Sequence, residues 1–118
     1  MEVRTVIEAE GKVRSILVLQ PRGGDYAALV EFFRRKDILG LAIREAGAWS
    51  AEVQVPVSGS GPVVVTALWD SEEAYAGWRN HPVRAAFSAD MARLTEPEMP
   101  PVDSAVYRVA SAATRSSS

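Results

Sequence analysis

A chain of 118 residues and 12.8 kDa is one domain's worth of polypeptide, since two separate cores would each fall below the usual single-core size. The absence of cysteine excludes a disulfide scaffold, a thiolate nucleophile and any cysteine-ligated metal, and the single histidine, His81, argues against a protein-only zinc or iron site. With 13 basic and 15 acidic residues the formal charge is −2, and no long basic run offers the phosphate-neutralising surface that nucleic acid requires.

The opening MEVRTVIEAE lacks an apolar signal core, and the purely apolar runs are far too short to span a bilayer, so a cytoplasmic protein without a membrane partner is expected. Residues 1–12 read as an N-terminal arm or an extra strand. From Val13 to Gln20 the run VRSILVLQ is rich in β-branched and apolar residues and is closed by Pro21, Gly23 and Gly24, which predicts a strand. The turn Arg22-Gly23-Gly24 ahead of a helix has the composition of an anion site, and equally that of a plain strand-to-helix connection.

Asp25 is placed to cap a helix starting at Tyr26, with Tyr26, Leu29, Val30 and Phe33 on one face. The phase slips across Arg34 to Asp37. A second apolar set, Ile38, Leu41, Ala42 and Ala46, resumes out of register, so the helix is kinked or restarted before Gly47 ends it. Two strand-like runs follow, Trp49 to Val57 and Gly61 to Trp69, joined by SGSGP as a hairpin; Trp49, Ala51, Val53, Val55 and Val57 alternate onto one face of the first.

In DSEEAYAGW, Asp70 with Glu73 three residues on predicts a capping box and a short helix. Asn80, His81 and Pro82 interrupt that helix, because the residue before proline avoids the helical region while proline is welcome at a first helical position. Val83, Ala86, Phe87, Met91 and Leu94 then describe one face of a second helical piece. EPEMPP reads as a loop, Ala105 to Val109 as a last strand, and residues 111–118 as a disordered tail behind a domain at residues 13–110.

The order strand, helix, strand, strand, helix, strand fits an α+β ferredoxin-like fold, βαββαβ, with one antiparallel sheet and its helices on one face. The other sheet face, expected to carry tryptophan and valine, would be an apolar patch too large for a monomer, which implies a homodimer.

Conventional catalytic machinery is absent from the sequence: no G-x-S-x-G elbow accompanies the one histidine, and no G-x-G-x-x-G follows a strand. The most distinctive stretch is VVVTALWDSEEAYAGWRNHPVRAAF, in which a strand ends in Trp69 and a helix opens as Asp70, Ser71, Glu72, Glu73, Ala74, Tyr75. Over about residues 13 to 110 the chain resembles the antibiotic-biosynthesis monooxygenase family. That resemblance implies a dimeric α+β barrel whose ferredoxin-like subunits each hold a pocket between sheet and helices. In its best-described branch, anthrone-type aromatic polyketides are oxidised to quinones with molecular oxygen and no cofactor. Tyr75 and Trp69 match pocket-facing positions of that branch and are the catalytic candidates. Tyrosine keeps its proton near neutrality, so Tyr75 is read as a donor to the substrate oxygen. Trp69 is read as stacking on the rings or donating its indole N–H. The alternative is that both are ordinary core aromatics.

The same branch carries an asparagine four residues before the strand tryptophan and an arginine in the second helical piece. Those positions hold Val65 and, approximately, Ser88, with Arg84 one turn earlier as a substitute. A second branch degrades haem with a tryptophan matched by Trp78 and a histidine ten residues later; Ser88 stands there instead and the first strand has no asparagine, which disfavours haem. His81, Arg84 and Trp78 are the substrate-binding candidates: His81 as a proton acceptor or a helix cap, Trp78 as a ligand contact or core. No metal or other cofactor is expected. The leading reading is thus a cofactor-independent monooxygenase using molecular oxygen on an aromatic polyketide or quinol. The competing reading is a non-oxidative cyclase, ligand-binding or structural member of a biosynthetic complex.

Overall fold

The computed structural model describes residues 8–99 and 101–115, with the backbone alone for residues 102–105. The expectations for an N-terminal arm and for a disordered tail therefore lie partly outside the described residues, at residues 1–7 and 116–118. Four strands, β1 (Val13–Leu19), β2 (Ser50–Gln54), β3 (Val63–Trp69) and β4 (Val102–Arg108), form one sheet in the order β2-β3-β1-β4, and every neighbouring pair is antiparallel. This is the ferredoxin-like α+β arrangement that the element order predicts.

The register places Ser15 opposite Ala67 and Val13 opposite Trp69. Because side chains alternate between faces, Val13, Ser15, Leu17 and Leu19 of β1 share a side with Val63, Val65, Ala67 and Trp69 of β3 and with Ala51 and Val53 of β2. The helices cover this side. β2 is shorter than its apolar alternation suggests: it stops at Gln54, Pro56 follows without a donor to continue the ladder, and Val55 and Val57 are exposed. The opposite sheet face carries Ile16, Val18, Val64, Thr66 and Leu68, and no tryptophan. Trp69 lies on the helix side, and Trp49 precedes β2 at the sheet edge, where its indole N–H donates to Asp70 at 2.6 Å.

The first helical region is α1 (Tyr26–Arg35) followed by α2 (Ile38–Ala46). Asp25 caps α1 by accepting from the Ala28 N–H at 3.0 Å. The phase slip seen in the sequence is a real break: Asp37 sits in the left-handed region at φ 51°, and the Arg44 guanidinium donates to its carboxylate at 2.7 Å across the first turns of α2. Gly47, at φ 80°, closes α2 in the left-handed geometry that glycine adopts without strain. The buried face of α1 is Leu29, Phe32 and Phe33; Phe32, which the helical spacing did not single out, meets Phe33 and Phe87 edge to face with ring centres 6.1 and 6.2 Å away.

The second region divides further, into α3 (Glu72–Arg79), α4 (Pro82–Ala86) and α5 (Ser88–Leu94). The cap of α3 is Ser71, whose hydroxyl accepts from the Ala74 N–H at 3.1 Å, and not Asp70 as the capping-box pattern suggests. Asp70 is already turned to Trp49 and stands 4.0 Å from the Lys12 ammonium. Ser71→Ala is accordingly expected to cost about 1 kcal/mol in urea unfolding, the usual worth of a cap. Asp70→Ala should cost less, because its partners are exposed.

The Arg22-Gly23-Gly24 turn is occupied by the chain itself. The Gly23 N–H donates to the Glu96 carboxylate at 2.7 Å, and the Arg22 guanidinium donates to the carbonyls of Thr95 and Ala92 at 3.2 and 3.4 Å. The anion at this turn is thus Glu96, and the contact clasps the end of α5 to the start of α1.

Candidate functional site

Between the sheet and the helices lies a small, partly open apolar cavity. Its floor is Ser15, Leu17, Ala51, Val65, Ala67 and Trp69 from the three strands β1, β2 and β3. Its walls are Phe33 from α1, Ile38, Leu39 and Ala42 from α2, Tyr75 and Trp78 from α3, and Arg84, Phe87 and Met91 from the last helices. The cavity exists because the floor is built of small residues where a sheet–helix interface normally interlocks large ones: Ala51 and Ala67, with Ser15, leave a hollow that the aromatic walls do not fill. A wider open groove, lined by Arg79, Arg84, Ala85, Ser88 and Pro101 among others, shares Leu17, Arg84 and Met91 with the cavity and so continues it towards solvent.

Trp69, fully buried, ends β3 at the inner end of this space. Its indole N–H donates to the Ser15 hydroxyl at 2.9 Å, across the diagonal of the β1–β3 pair. The reading of Trp69 as an N–H donor to substrate is therefore corrected: that proton is committed to Ser15, and what the cavity meets is the ring. Tyr75, 5% exposed, packs on it with ring centres 5.6 Å apart and the planes tilted at 55°. One turn later on α3 the Arg79 guanidinium lies over the Tyr75 ring, 5.7 Å from its centre. Helix spacing thus places Arg79 on the outer side of Tyr75 and Trp78 on the wall beside it.

Trp69, Tyr75, Trp78 and Arg84 all line the cavity. His81 does not. Its Nδ1 accepts from the Val83 N–H at 3.1 Å, capping α4, and its ring lies 6.0 Å from that of Trp78, behind the wall. The geometry matches the capping alternative for His81, which is not among the residues lining the cavity. Val65 stands on the floor and Ser88 in the outer groove.

Sequence reasoning missed Ser15, Phe33, Ile38 and Leu39 as cavity residues. For Ser15 a signal exists: among the inward positions Val13, Ser15, Leu17 and Leu19 it is the one polar side chain, and a lone polar residue on a core-facing parity needs a partner. The other three carry no signal that separates a cavity wall from a packed core.

Among the described residues no group of three or more histidine, aspartate or glutamate side chains is arranged to hold a metal ion, and no helix is long and apolar enough to cross a membrane. What the site offers chemically is an apolar, largely aromatic enclosure with a few hydroxyls and a guanidinium at its outer side.

The model of the antibiotic biosynthesis monooxygenase family matches residues 13–90. Among solved structures, a protein of unknown function from Nitrosomonas europaea superposes with a TM-score of 0.70 at 21% identity, over 93% of this chain and all of that one. The monooxygenase ActVA-Orf6 of Streptomyces coelicolor, solved in complex with nanaomycin D, gives a TM-score of 0.68 at 21% identity over 92% of this chain and 95% of its own. The haem degrader MhuD of Mycobacterium tuberculosis, solved with two haems bound in its active site, gives 0.52 at 26% identity over 64% of this chain and 76% of its own. No protein of curated function matches the sequence at a significant level.

Proposed function

The chain belongs to the antibiotic biosynthesis monooxygenase family, and from that premise we propose that it oxidises an aromatic, polyketide-like or quinol substrate with molecular oxygen, using no cofactor. The observation that carries this reading is the enclosure itself, with Trp69, Tyr75, Trp78, Phe33 and Phe87 around an apolar space that Ser15 also lines. Flat ring systems are held by such walls through stacking and burial. An enclosure that excludes water also suits an oxygen reaction through a reactive carbanion.

The chemistry balances without a redox cofactor. A hydroxylated anthrone loses a proton from its methylene carbon to give an enolate, which passes one electron to oxygen. The radical pair combines at that carbon as a hydroperoxide, and loss of water leaves the quinone carbonyl: one oxygen atom enters the product and the other leaves as water with both methylene hydrogens. The protein need only bind the rings, keep water out and stabilise the enolate oxygen with donors, of which Tyr75 is the proposed one. The test is oxygen uptake by purified protein supplied with a hydroxylated anthrone. Uptake above the uncatalysed rate with quinone formed in equal amount is expected; binding without uptake would favour the cyclase or ligand-binding reading.

Haem does not fit this site. The chain's one imidazole has its Nδ1 taken by Val83 and lies behind the wall, and Ser88 in the outer groove supplies no axial nitrogen. The likeness to MhuD is therefore carried over as fold alone.

A homodimer through the sheet faces belongs to the same proposal. The face away from the helices carries Ile16, Val18, Val64 and Leu68, and in its midst the Thr66 hydroxyl is buried with no hydrogen-bond partner among the described residues. A second sheet laid on it would bury the apolar groups further. The expected result is a melting temperature that falls on dilution through the micromolar range, with light scattering giving twice the chain mass. A monomer mass with a concentration-independent melt would overturn it.

A further inference from the structure

Ser15 is a buried polar group that the proposed reaction does not yet use. It stands at the middle of β1, 6% exposed, on the cavity floor, with apolar neighbours at the other inward positions of the strand. Across the pair it faces Ala67, which lines the same cavity. Its oxygen accepts the Trp69 indole N–H at 2.9 Å, and that is the hydroxyl's only hydrogen bond among the described residues. A serine hydroxyl has one proton to give and two lone pairs. Here one lone pair is filled from behind by Trp69, and the proton has no acceptor among the described residues.

A buried donor without an acceptor is costly in an apolar surrounding, and a small hydrophobe would fill this position without that cost. We infer that Ser15 donates its proton to an oxygen atom of the ligand, so that the cavity selects a flat aromatic molecule carrying a carbonyl, phenol or phenolate oxygen directed at the β1–β3 floor. Trp69 acts through it: by donating to Oγ the indole fixes the serine rotamer and polarises the O–H, because a hydroxyl that accepts a hydrogen bond is a better donor. Trp69 and Ser15 thus form a two-step donor chain ending in the cavity, and the tryptophan that cannot reach the ligand with its own N–H reaches it through the serine. Together with Tyr75 this gives two hydroxyls from opposite sides, one on the sheet and one on a helix.

The inference rests on the reading of the cavity as an aromatic-ligand site, and a matched pair of ligands keeps the two apart. Anthrone and 9,10-dihydroanthracene share a tricyclic frame and differ by one carbonyl. Each is titrated anaerobically against wild type, Ser15→Ala and Ser15→Thr, with tryptophan fluorescence as the readout. The expected result is that Ser15→Ala weakens anthrone binding roughly tenfold, the usual worth of one hydrogen bond, and leaves dihydroanthracene within about twofold. Ser15→Thr, which keeps the hydroxyl on a strand that favours β-branching, should restore anthrone binding to within about threefold. Equal losses for both ligands in Ser15→Ala, or no loss for either, would overturn the role of Ser15 while leaving the cavity as the binding site. Failure of wild type to bind either ligand would overturn the aromatic-site reading and the inference with it.

Discussion

Tyr75→Phe is expected to lower the turnover of a hydroxylated anthrone about 100-fold, the usual cost of losing one donor to a developing oxyanion, while the protein melts close to wild type. The separation of the two effects follows from how the side chain is held. The Trp69 ring centre lies 5.6 Å from that of Tyr75 and the Arg79 guanidinium 5.7 Å from it on the solvent side, and phenylalanine keeps both of these ring contacts. Oxygen-electrode rates at saturating substrate, set beside thermal unfolding curves, check it. Wild-type turnover in the variant would remove Tyr75 from the reaction and turn attention to Arg84, which lines both the cavity and the groove that opens it.

The opposite balance is expected for Trp69→Ala. This side chain is fully buried, spans the floor from the end of β3 to the hydroxyl of β1, and supports Tyr75 from below. Truncation removes a large buried apolar area, opens a hole beside an existing cavity and leaves Ser15 without the group that orients it. Large-to-small changes of this kind cost about 3–5 kcal/mol. For a domain of this size that lowers the melting temperature by roughly 10–30 °C, measurable by circular dichroism. Trp69→Phe should fall between the two, keeping most of the packing and losing the bond to Ser15. A loss below about 1 kcal/mol in the alanine variant would mean that the floor collapses around the gap, and that Trp69 is not the support of the site.

Much of the fold is legible in the sequence because its signals are local. The run from Val13, the slip of helical phase at Arg34 to Asp37 and the proline after His81 each act within a few residues, and each marks a boundary the structure has. The misjudged details are those decided by contacts distant in sequence. Asp70 satisfies the pattern of a helix cap as well as Ser71 does; the indole of Trp49, 21 positions earlier, draws Asp70 aside. Val55 and Val57 alternate as a strand would, yet Pro56 and the edge position end β2 before them. The site follows the same division. The aromatic helix start around Tyr75 is visible as a local motif, whereas the partnership of Ser15 with Trp69 joins residues 54 positions apart and comes into being only when β1 pairs with β3. His81 stands next in sequence to residues of interest, but proline geometry turns it into a cap.

The two sides of the enclosure are anchored very differently. Most of its floor belongs to β1 and β3, the inner strands of the sheet, each hydrogen-bonded on both flanks. Its outer wall includes α4 and α5, of five and seven residues, neither of which contains a fully buried side chain. Amide protons on the floor should therefore exchange only when the whole domain unfolds, while those of α4 and α5 exchange through cheap local openings. A molecule larger than the resting mouth is therefore expected to enter by displacing α4 and α5, with the donor geometry set by the sheet unchanged.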